Sequence, residues 1–143
     1  MKNEIKILFI CHGNICRSVM AEYIFKNMVH ESDEYYIESA AVSREELGND
    51  IYPPAKTALK AHDVPFGKHS ARQITKNDYD RFDKIYVMDE SNMRRTLNIF
   101  GGDPEGKIKM LLERGISDPW YTGEFEKTYN DIVEGCEKIL RDV

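Results

Sequence analysis

The sequence has few cysteines, no long apolar run and no excess of positive charge. Its three cysteines are an odd number, which favours a reducing compartment over a disulfide framework, so we expect a cytoplasmic protein. The absence of an apolar run of about 18 residues argues against a membrane-spanning helix. The formal net charge of −5 argues against a general nucleic-acid-binding protein, which needs a basic face. We therefore expect neither a nucleic acid nor a membrane as a partner.

The composition is that of an ordinary globular protein. Hydrophobic residues make up 41% and charged residues 31% of the 143 residues, without a repeat, a linker or a low-complexity tract. The opening residues lead straight into a strand-like segment and are not expected to be a signal peptide. The length fits one domain over residues 1–143. We expect it to be a monomer.

Strand-like and helix-like segments alternate along the chain. The predicted strands are residues 4–10, Tyr35–Ala40, Lys84–Met88 and, at an edge, Lys107–Leu112. The predicted helices are residues 17–29, residues 53–61, Glu90–Phe100 and Glu124–Leu140. This order predicts an α/β protein in which helices flank both faces of a four-stranded parallel sheet. Ligands bind such sheets beyond the carboxyl ends of the strands, and Cys11, Asp89 and Asp118 all follow predicted strands.

The segment from Ile7 to Ser18 carries the strongest chemical signal. An apolar run ends at Cys11, a polar turn containing glycine follows, and helical spacing begins near Arg17. Backbone N–H groups of such a turn, together with a helix N-terminus, favour a bound dianion. The Cys-x5-Arg spacing alone is weak evidence for an anion-binding loop. The alternative interpretation is a buried cysteine at the end of a strand, followed by a solvated arginine in a helix. An arginine in a first helical turn is unfavourable, however, unless an anion lies there.

The stretch Cys11-His12-Gly13-Asn14-Ile15-Cys16-Arg17-Ser18 resembles the signature loop of the low-molecular-weight protein tyrosine phosphatases. Three later segments agree with the same family: residues 39–41, 88–93 and 118–121. The resemblance covers essentially the whole chain and implies a Rossmann-like fold. It also implies metal-independent, cofactor-free hydrolysis of phosphotyrosine proteins and small aryl phosphates through a phosphocysteine. Val19 stands where the family usually has proline, which should reduce the rigidity of the helix start.

Three residues are the candidate catalytic groups. Cys11 is the expected nucleophile, because a helix N-terminus and a nearby cation favour the thiolate. Arg17 would hold two phosphoryl oxygens in a fork that lysine cannot copy. Asp118 is the expected general acid and base. The candidate substrate-binding residues, which also bind phosphate or other oxyanions, are His12, Gly13, Asn14, Ile15, Cys16, Ser18, Trp120 and Tyr121.

Several of these residues have a second interpretation. The Ser18 hydroxyl could donate a hydrogen bond to the Cys11 sulfur, or Ser18 could simply begin the helix. Asn14 and Gly13 are both expected in left-handed backbone conformations. His12 is expected to contribute a backbone N–H at the rim and not to act as a base. Cys16 could form a protective disulfide with Cys11 or be buried packing.

Candidate groups farther along the chain are also ambiguous. Asp118-Pro119 could be a helix cap like Asp103-Pro104, but aromatic residues follow Asp118. Trp120 and Tyr121 could wall the cleft or belong to the core. His69 is expected to be buried and, with Arg72, to support the loop from behind.

Other functions remain possible at this point. A thiol reductase on the same scaffold would need further cysteines in a mobile segment, and none occurs between Cys16 and Cys136. A phosphopeptide-binding module with a dead site is disfavoured by the intact Cys11, Arg17 and Asp118. A zinc site at Cys11, His12 and Cys16 lacks a complete ligand set at structural spacing. A related branch of the family acts on phosphoarginine and resembles this loop except for a threonine at Ile15, so we expect phosphotyrosine to be preferred.

Overall fold

The computed structural model describes residues 4–30 and 32–142, so the predicted domain over 1–143 extends beyond the described residues at both ends. Ten elements follow one another along the chain. They are β1 (Ile5–Cys11), α1 (Arg17–Met28), β2 (Tyr35–Ala41), α2 (Pro53–Ala61), α3 (Lys76–Arg81), β3 (Lys84–Val87), α4 (Glu90–Phe100), β4 (Ile108–Met110), α5 (Pro119–Thr122) and α6 (Phe125–Asp142). The predicted elements are all present, with their ends shifted by at most two residues. The two short helices α3 and α5 were not predicted.

The four strands form one parallel sheet in the order β2-β1-β3-β4, which confirms the predicted fold class. The chain passes from β1 to β2 on one side of β1, and from β2 it then crosses to β3 on the other side of β1. The crevice between the carboxyl ends of β1 and β3 is therefore the topological switch point at which such folds bind ligands. Cys11 ends β1 and Asp89 follows β3, so both lie at this crevice.

The central strand β1 is buried on both faces, as the apolar run Ile7–Ile10 predicts. Ile7 and Phe9 belong to one apolar cluster, which includes Ile24 of α1 and Ile132 of α6. Leu8 and Ile10 belong to the cluster on the opposite face, against which side chains of α4 pack. Helices thus cover both faces of the sheet. None of the helices in the described part of the chain is long and apolar enough to cross a membrane.

The segment after β4 returns to the carboxyl edge of the sheet. The backbone N–H of Leu111 donates to the carbonyl of Val87 at 2.8 Å, and that of Ile116 donates to the carbonyl of Met88 at 2.8 Å. Both acceptors lie at or just beyond the end of β3. These two bonds bring Asp118 to the edge that carries Cys11, although β4 itself ends eight residues earlier at Met110.

Candidate active site

The loop between β1 and α1 is held from outside through its carbonyl groups. The carbonyl oxygens of Cys11 and His12 accept from the backbone N–H groups of Val42 and Ser43 at 3.0 and 3.1 Å. The carbonyl oxygen of Ile15 accepts from the backbone N–H of Tyr52 at 2.9 Å. Because these carbonyls bind the surrounding scaffold, the loop is fixed without using its own N–H groups.

The N–H groups of the loop are left for another partner. Among the hydrogen bonds of the described residues, none uses the backbone N–H of His12, Gly13, Ile15 or Cys16, and that of Asn14 lies 3.3 Å from the Cys11 sulfur. The loop also leads into the N-terminus of α1, whose positive dipole end adds to the same field. This arrangement is suited to an anion above the Cys11 thiol.

Asn14 fixes the shape of the loop. It is fully buried and has φ +62°, which confirms the predicted left-handed conformation. Its side-chain oxygen accepts from the backbone N–H of Arg72 at 3.2 Å. Its amide nitrogen donates to the hydroxyls of Ser18 at 2.8 Å and Ser39 at 2.9 Å. Both amide hydrogens are thereby used, and the side-chain orientation is determined.

These contacts also define what Ser18 does. The Cys11 Sγ lies 3.0 Å from the Ser18 Oγ, and both side chains are buried. Since the Ser18 oxygen accepts from Asn14, its own proton is available for a Cys11 thiolate. Ser18 also lies in the first turn of α1, so the structure contains the features of both interpretations.

The prediction of a left-handed Gly13 was wrong. Among the described residues, Asn14, His30 and Asp63 are the non-glycine residues with positive φ, and Gly13 is absent from the glycines that share it. A Cβ at Gly13 would lie 3.2 Å from the Cγ of Glu46. Any other side chain here would push against Glu46, so glycine eases the close approach of residues 43–51 to the loop, and Asn14 provides the left-handed turn.

Arg17 is fixed in the wall of the site. It is only 2% exposed, and its Nη1 donates to the Asp89 carboxylate at 2.7 Å and to the Ile116 carbonyl at 2.8 Å. Its Nη2 lies 3.4 Å from the Asp118 Oδ2. Burial opposes the charge most strongly, but Cys11, Asp89 and Asp118 together outweigh it and raise the Arg17 pKa above its ordinary value. The guanidinium therefore stays charged and points one edge toward the cleft.

Asp89 has a role that the sequence did not reveal. Its carboxylate holds Arg17 through Oδ2 and also caps α4 by accepting from the backbone N–H of Asn92 at 2.8 Å through Oδ1. One side chain thus couples the end of β3 to the guanidinium. The position at the carboxyl end of β3 was visible in the sequence, but the pairing with Arg17 depends on β1 and β3 being neighbours.

Asp118 both caps a helix and faces the cleft. Its Oδ1 accepts from the backbone N–H of Trp120 at 3.1 Å, at the start of α5, while its Oδ2 lies near Arg17. Asp103 lies elsewhere, in the turn before β4, where it binds the Tyr79 hydroxyl at 2.6 Å and the backbone N–H groups of Lys107 and Ile108. Asp118, and not Asp103, is therefore placed beside the Cys-x5-Arg loop.

The cleft over Cys11 is walled by apolar and aromatic side chains. Ile15, Trp120 and Tyr121 line it, together with His12, Gly13, Cys16, Arg17 and Asp118. Trp120 is 49% and Tyr121 is 82% exposed, so neither belongs to the core. The ring of Trp120 packs on that of Tyr52 with centroids 4.6 Å apart. Sequence analysis missed Tyr52, which directly precedes the two prolines at the start of the helix predicted at 53–61.

Charged side chains at the rim were also missed. Glu45 and Glu46 line the cleft from the connection between β2 and α2. His12 lies at the rim with its Nε2 2.7 Å from Glu45 and its Nδ1 2.9 Å from Arg95 of α4. The position of Arg95 carried no signal in the sequence, because 83 residues separate it from His12.

His69 and Cys16 support the loop. His69 Nε2 lies 2.6 Å from the Asn14 carbonyl oxygen, but the residue is half-buried and not buried as predicted, since it lies in the irregular segment before α3. Cys16 is 4% exposed and packs with Ile15 and Ala71. Burial first, and then the charges of Cys11 and Asp118, raise the pKa of the Cys16 thiol well above its ordinary value.

The fold and the loop together define a class of protein. A thiol at the end of a central parallel strand, under unpartnered N–H groups and next to a buried arginine, is the arrangement of a cysteine-dependent phosphatase. The sequence profile described as low molecular weight phosphotyrosine protein phosphatase matches residues 6–143. The chain belongs to this family and is a protein tyrosine phosphatase.

Individual relatives include two tyrosine phosphatases and one arginine phosphatase. The low molecular weight phosphotyrosine protein phosphatase of Sus scrofa is 39% identical, over 96% of this chain and 94% of the relative. The crystal structure of a low molecular weight protein tyrosine phosphatase from Streptococcus pyogenes superposes with a TM-score of 0.93 at 38% identity, over 100% of this chain and 93% of the other. A Drosophila arginine phosphatase superposes with a TM-score of 0.85 at 31% identity, over 96% and 97% of the two chains.

Proposed function

We propose that Cys11, Arg17 and Asp118 carry out phosphotyrosine hydrolysis in two steps through a phosphocysteine. The observation that carries this assignment is the placement of Arg17. It is held by groups from two segments that follow β3 and β4, and it lies in the wall of the cleft that contains Cys11 and Asp118. Nucleophile, phosphate clamp and acid therefore converge on one point.

In the first step, the Cys11 thiolate attacks phosphorus opposite the tyrosine oxygen. The bond from sulfur to phosphorus forms as the bond from phosphorus to the tyrosine oxygen breaks, and that oxygen leaves with a proton from Asp118. The loop N–H groups and Arg17 stabilise the charge on the remaining phosphoryl oxygens. The Ser18 hydroxyl stabilises the thiolate before attack.

In the second step, water attacks the phosphocysteine. Asp118, now a carboxylate, takes a proton from the water as the new bond from oxygen to phosphorus forms. The bond from phosphorus to sulfur breaks, phosphate leaves and the thiolate returns. Ser18 donates its proton in a hydrogen bond to the departing sulfur, so the same contact stabilises the thiolate before the first step and as the leaving group in the second.

The cleft walls support phosphotyrosine as the substrate of these two steps. Ile15 is only 7% exposed and presents an apolar side chain to the cleft, while Trp120 and Tyr121 offer ring faces at the mouth. An aryl phosphate has the reach and the ring for this cleft, whereas phosphoserine is short and phosphoarginine carries a charged guanidinium. The similarity to the Drosophila arginine phosphatase makes phosphoarginine the comparison substrate of choice.

The proposal also covers where and with what the enzyme acts. We place it in the cytoplasm as a monomer that acts on phosphotyrosine proteins and binds phosphate and similar oxyanions. The three cysteines are free thiols, which suits a reducing compartment. Among the described residues, the exposed large apolar side chains are Tyr36, Leu47, Trp120 and Tyr121, and the last two belong to the cleft mouth.

The test of this function is turnover of p-nitrophenyl phosphate in the presence of a metal chelator. The wild-type protein should hydrolyse the ester, and Cys11→Ser should not, although it should still bind inorganic phosphate through the loop. Cys136→Ala is the matched control and should keep the activity. Cys136 lies on α6, is fully buried in the core of the protein and does not line the cleft. Substantial turnover by Cys11→Ser would refute the covalent mechanism.

A further inference from the structure

We propose that Arg95, held at the cleft rim by His12, selects substrates with an acidic residue on one side of the phosphotyrosine. This inference rests on the proposed function, since it concerns the part of a phosphopeptide outside the cleft. It starts from the chain of contacts Glu45–His12–Arg95, in which an exposed carboxylate, a half-exposed imidazole and an exposed guanidinium come from three separate segments.

The donor and acceptor inventory fixes how the three groups interact. A guanidinium has donors only, so the Arg95 Nη1 must donate to His12 Nδ1, which lies 2.9 Å away. The proton of the neutral imidazole is then on Nε2, from which it is donated to Glu45 at 2.7 Å. The ring therefore accepts on one side and donates on the other. Both contacts are satisfied only by this one neutral tautomer.

This arrangement leaves the charge of Arg95 available. None of the ion pairs among the described residues involves Arg95, and its partner His12 is an uncharged acceptor. The bond to His12 has only one charged group, whereas a carboxylate acceptor would add the coulombic attraction of an opposite charge to the guanidinium. A carboxylate on a bound peptide would therefore compete successfully with His12 for the guanidinium.

The position of the guanidinium puts it within reach of a substrate. His12 directly follows Cys11 in the chain, and its side chain lines the cleft. Arg95 contacts the Nδ1 of that side chain, so one side chain separates its guanidinium from the cleft. We therefore expect the peptide residues next to the phosphotyrosine to pass over this rim.

The rim has opposite charges on its two sides. The two ring nitrogens of His12 point in different directions, with Arg95 on one side and Glu45 on the other. Glu46, which follows Glu45 in the chain, also lines the cleft and packs against Gly13. An acidic peptide residue should therefore be favoured on the Arg95 side only, and the two glutamates should oppose it on the other side. The preference is expected on one flank of the phosphotyrosine and not on both.

The experiment compares phosphotyrosine peptides that differ by glutamate or glutamine at the neighbouring positions on each flank. On one flank, the wild-type enzyme should hydrolyse the glutamate peptide with about five-fold higher kcat/KM, mainly through KM, since exposed ion pairs contribute modestly. The advantage should shrink as salt is added. Arg95→Gln should reduce the ratio to about one while leaving turnover of p-nitrophenyl phosphate within about two-fold.

Arg94→Gln is the matched control. Arg94 is also exposed on α4, but consecutive helical residues point about 100° apart, so it does not face His12. Arg94→Gln should keep the preference for glutamate. The inference is overturned if wild-type enzyme shows no preference on either flank, if Arg95→Gln keeps it, or if Arg94→Gln loses it equally. Failure of wild-type enzyme to hydrolyse p-nitrophenyl phosphate would instead overturn the proposed function and this inference with it.

Discussion

Replacing Asn14 should destabilise the whole protein as well as the loop. The side chain is fully buried and makes three hydrogen bonds, to the hydroxyls of Ser18 and Ser39 and from the backbone N–H of Arg72. Asn14→Ala removes all three, at a cost of about 1 kcal/mol each. Alanine also tolerates the positive φ of this position poorly, at a further cost of about 1 kcal/mol. We expect a loss of about 4 kcal/mol in the free energy of unfolding.

A second substitution separates the two causes. Asn14→Gly loses the same three hydrogen bonds but adopts positive φ freely, so it should recover up to about 1 kcal/mol relative to Asn14→Ala. Urea denaturation gives both free energies, provided that the denaturant dependence stays equal among the variants. A loss below about 1 kcal/mol in Asn14→Ala would refute the reasoning, because the hydrogen bonds would then contribute nothing net. Equal stability of the alanine and glycine variants would refute the role of backbone conformation.

Three further predictions concern the chemistry of the cleft. Asp118→Ala should slow hydrolysis of phenyl phosphate by about 10²–10⁴-fold and affect p-nitrophenyl phosphate much less, because the better leaving group needs less protonation. Mild peroxide should give a reversible disulfide between Cys11 and Cys16, and its formation should accelerate with rising pH because the raised pKa of Cys16 keeps its thiolate scarce. Phosphotyrosine peptides should exceed phosphoserine and phosphoarginine peptides by at least about 100-fold in kcat/KM, and Ile15→Thr should narrow the gap to phosphoarginine.

Each of these has a contradicting result. Equal losses on both esters in Asp118→Ala, measured by steady-state kinetics, would assign the acid to another residue. Mass spectrometry that finds only sulfinic or sulfonic Cys11 after mild peroxide would exclude protection by Cys16. Comparable rates of wild-type enzyme on phosphoarginine and phosphotyrosine peptides would refute the specificity argument from the apolar Ile15.

Local patterns in the sequence were sufficient for most of the fold. The buried run of β1 and the helix Glu90–Phe100, which ends at Gly101 with φ +79°, follow from residue periodicity and end signals. The helix α3 was missed because it has six mostly polar residues and too few turns to show a period. Its capping box, formed by Thr75 and Asp78, was the signal that could have revealed it.

The site was predictable where one segment supplies it and unpredictable where distant segments meet. The loop from Cys11 to Ser18 is contiguous, so its shape could be inferred from Asn14 and from the strand and helix on either side. The contact between Arg17 and Asp89 spans 72 residues and that between His12 and Arg95 spans 83 residues. Such pairs depend on which strands are neighbours and on how α4 is rotated, and residue spacing contains neither. The wrong conformation predicted for Gly13 has a similar cause, since the close contact at this position comes from Glu46, in a distant segment, and not from the turn that contains Gly13.

The central claim is that Cys11 becomes covalently phosphorylated during turnover. Rapid acid quenching of wild-type enzyme with p-nitrophenyl phosphate, followed by proteolysis and mass spectrometry, measures this directly. We predict a phosphate adduct on the peptide that contains Cys11, formed in a burst with the first nitrophenolate and absent from Cys11→Ser. Turnover without an adduct on Cys11, or an adduct on another residue, would contradict the mechanism.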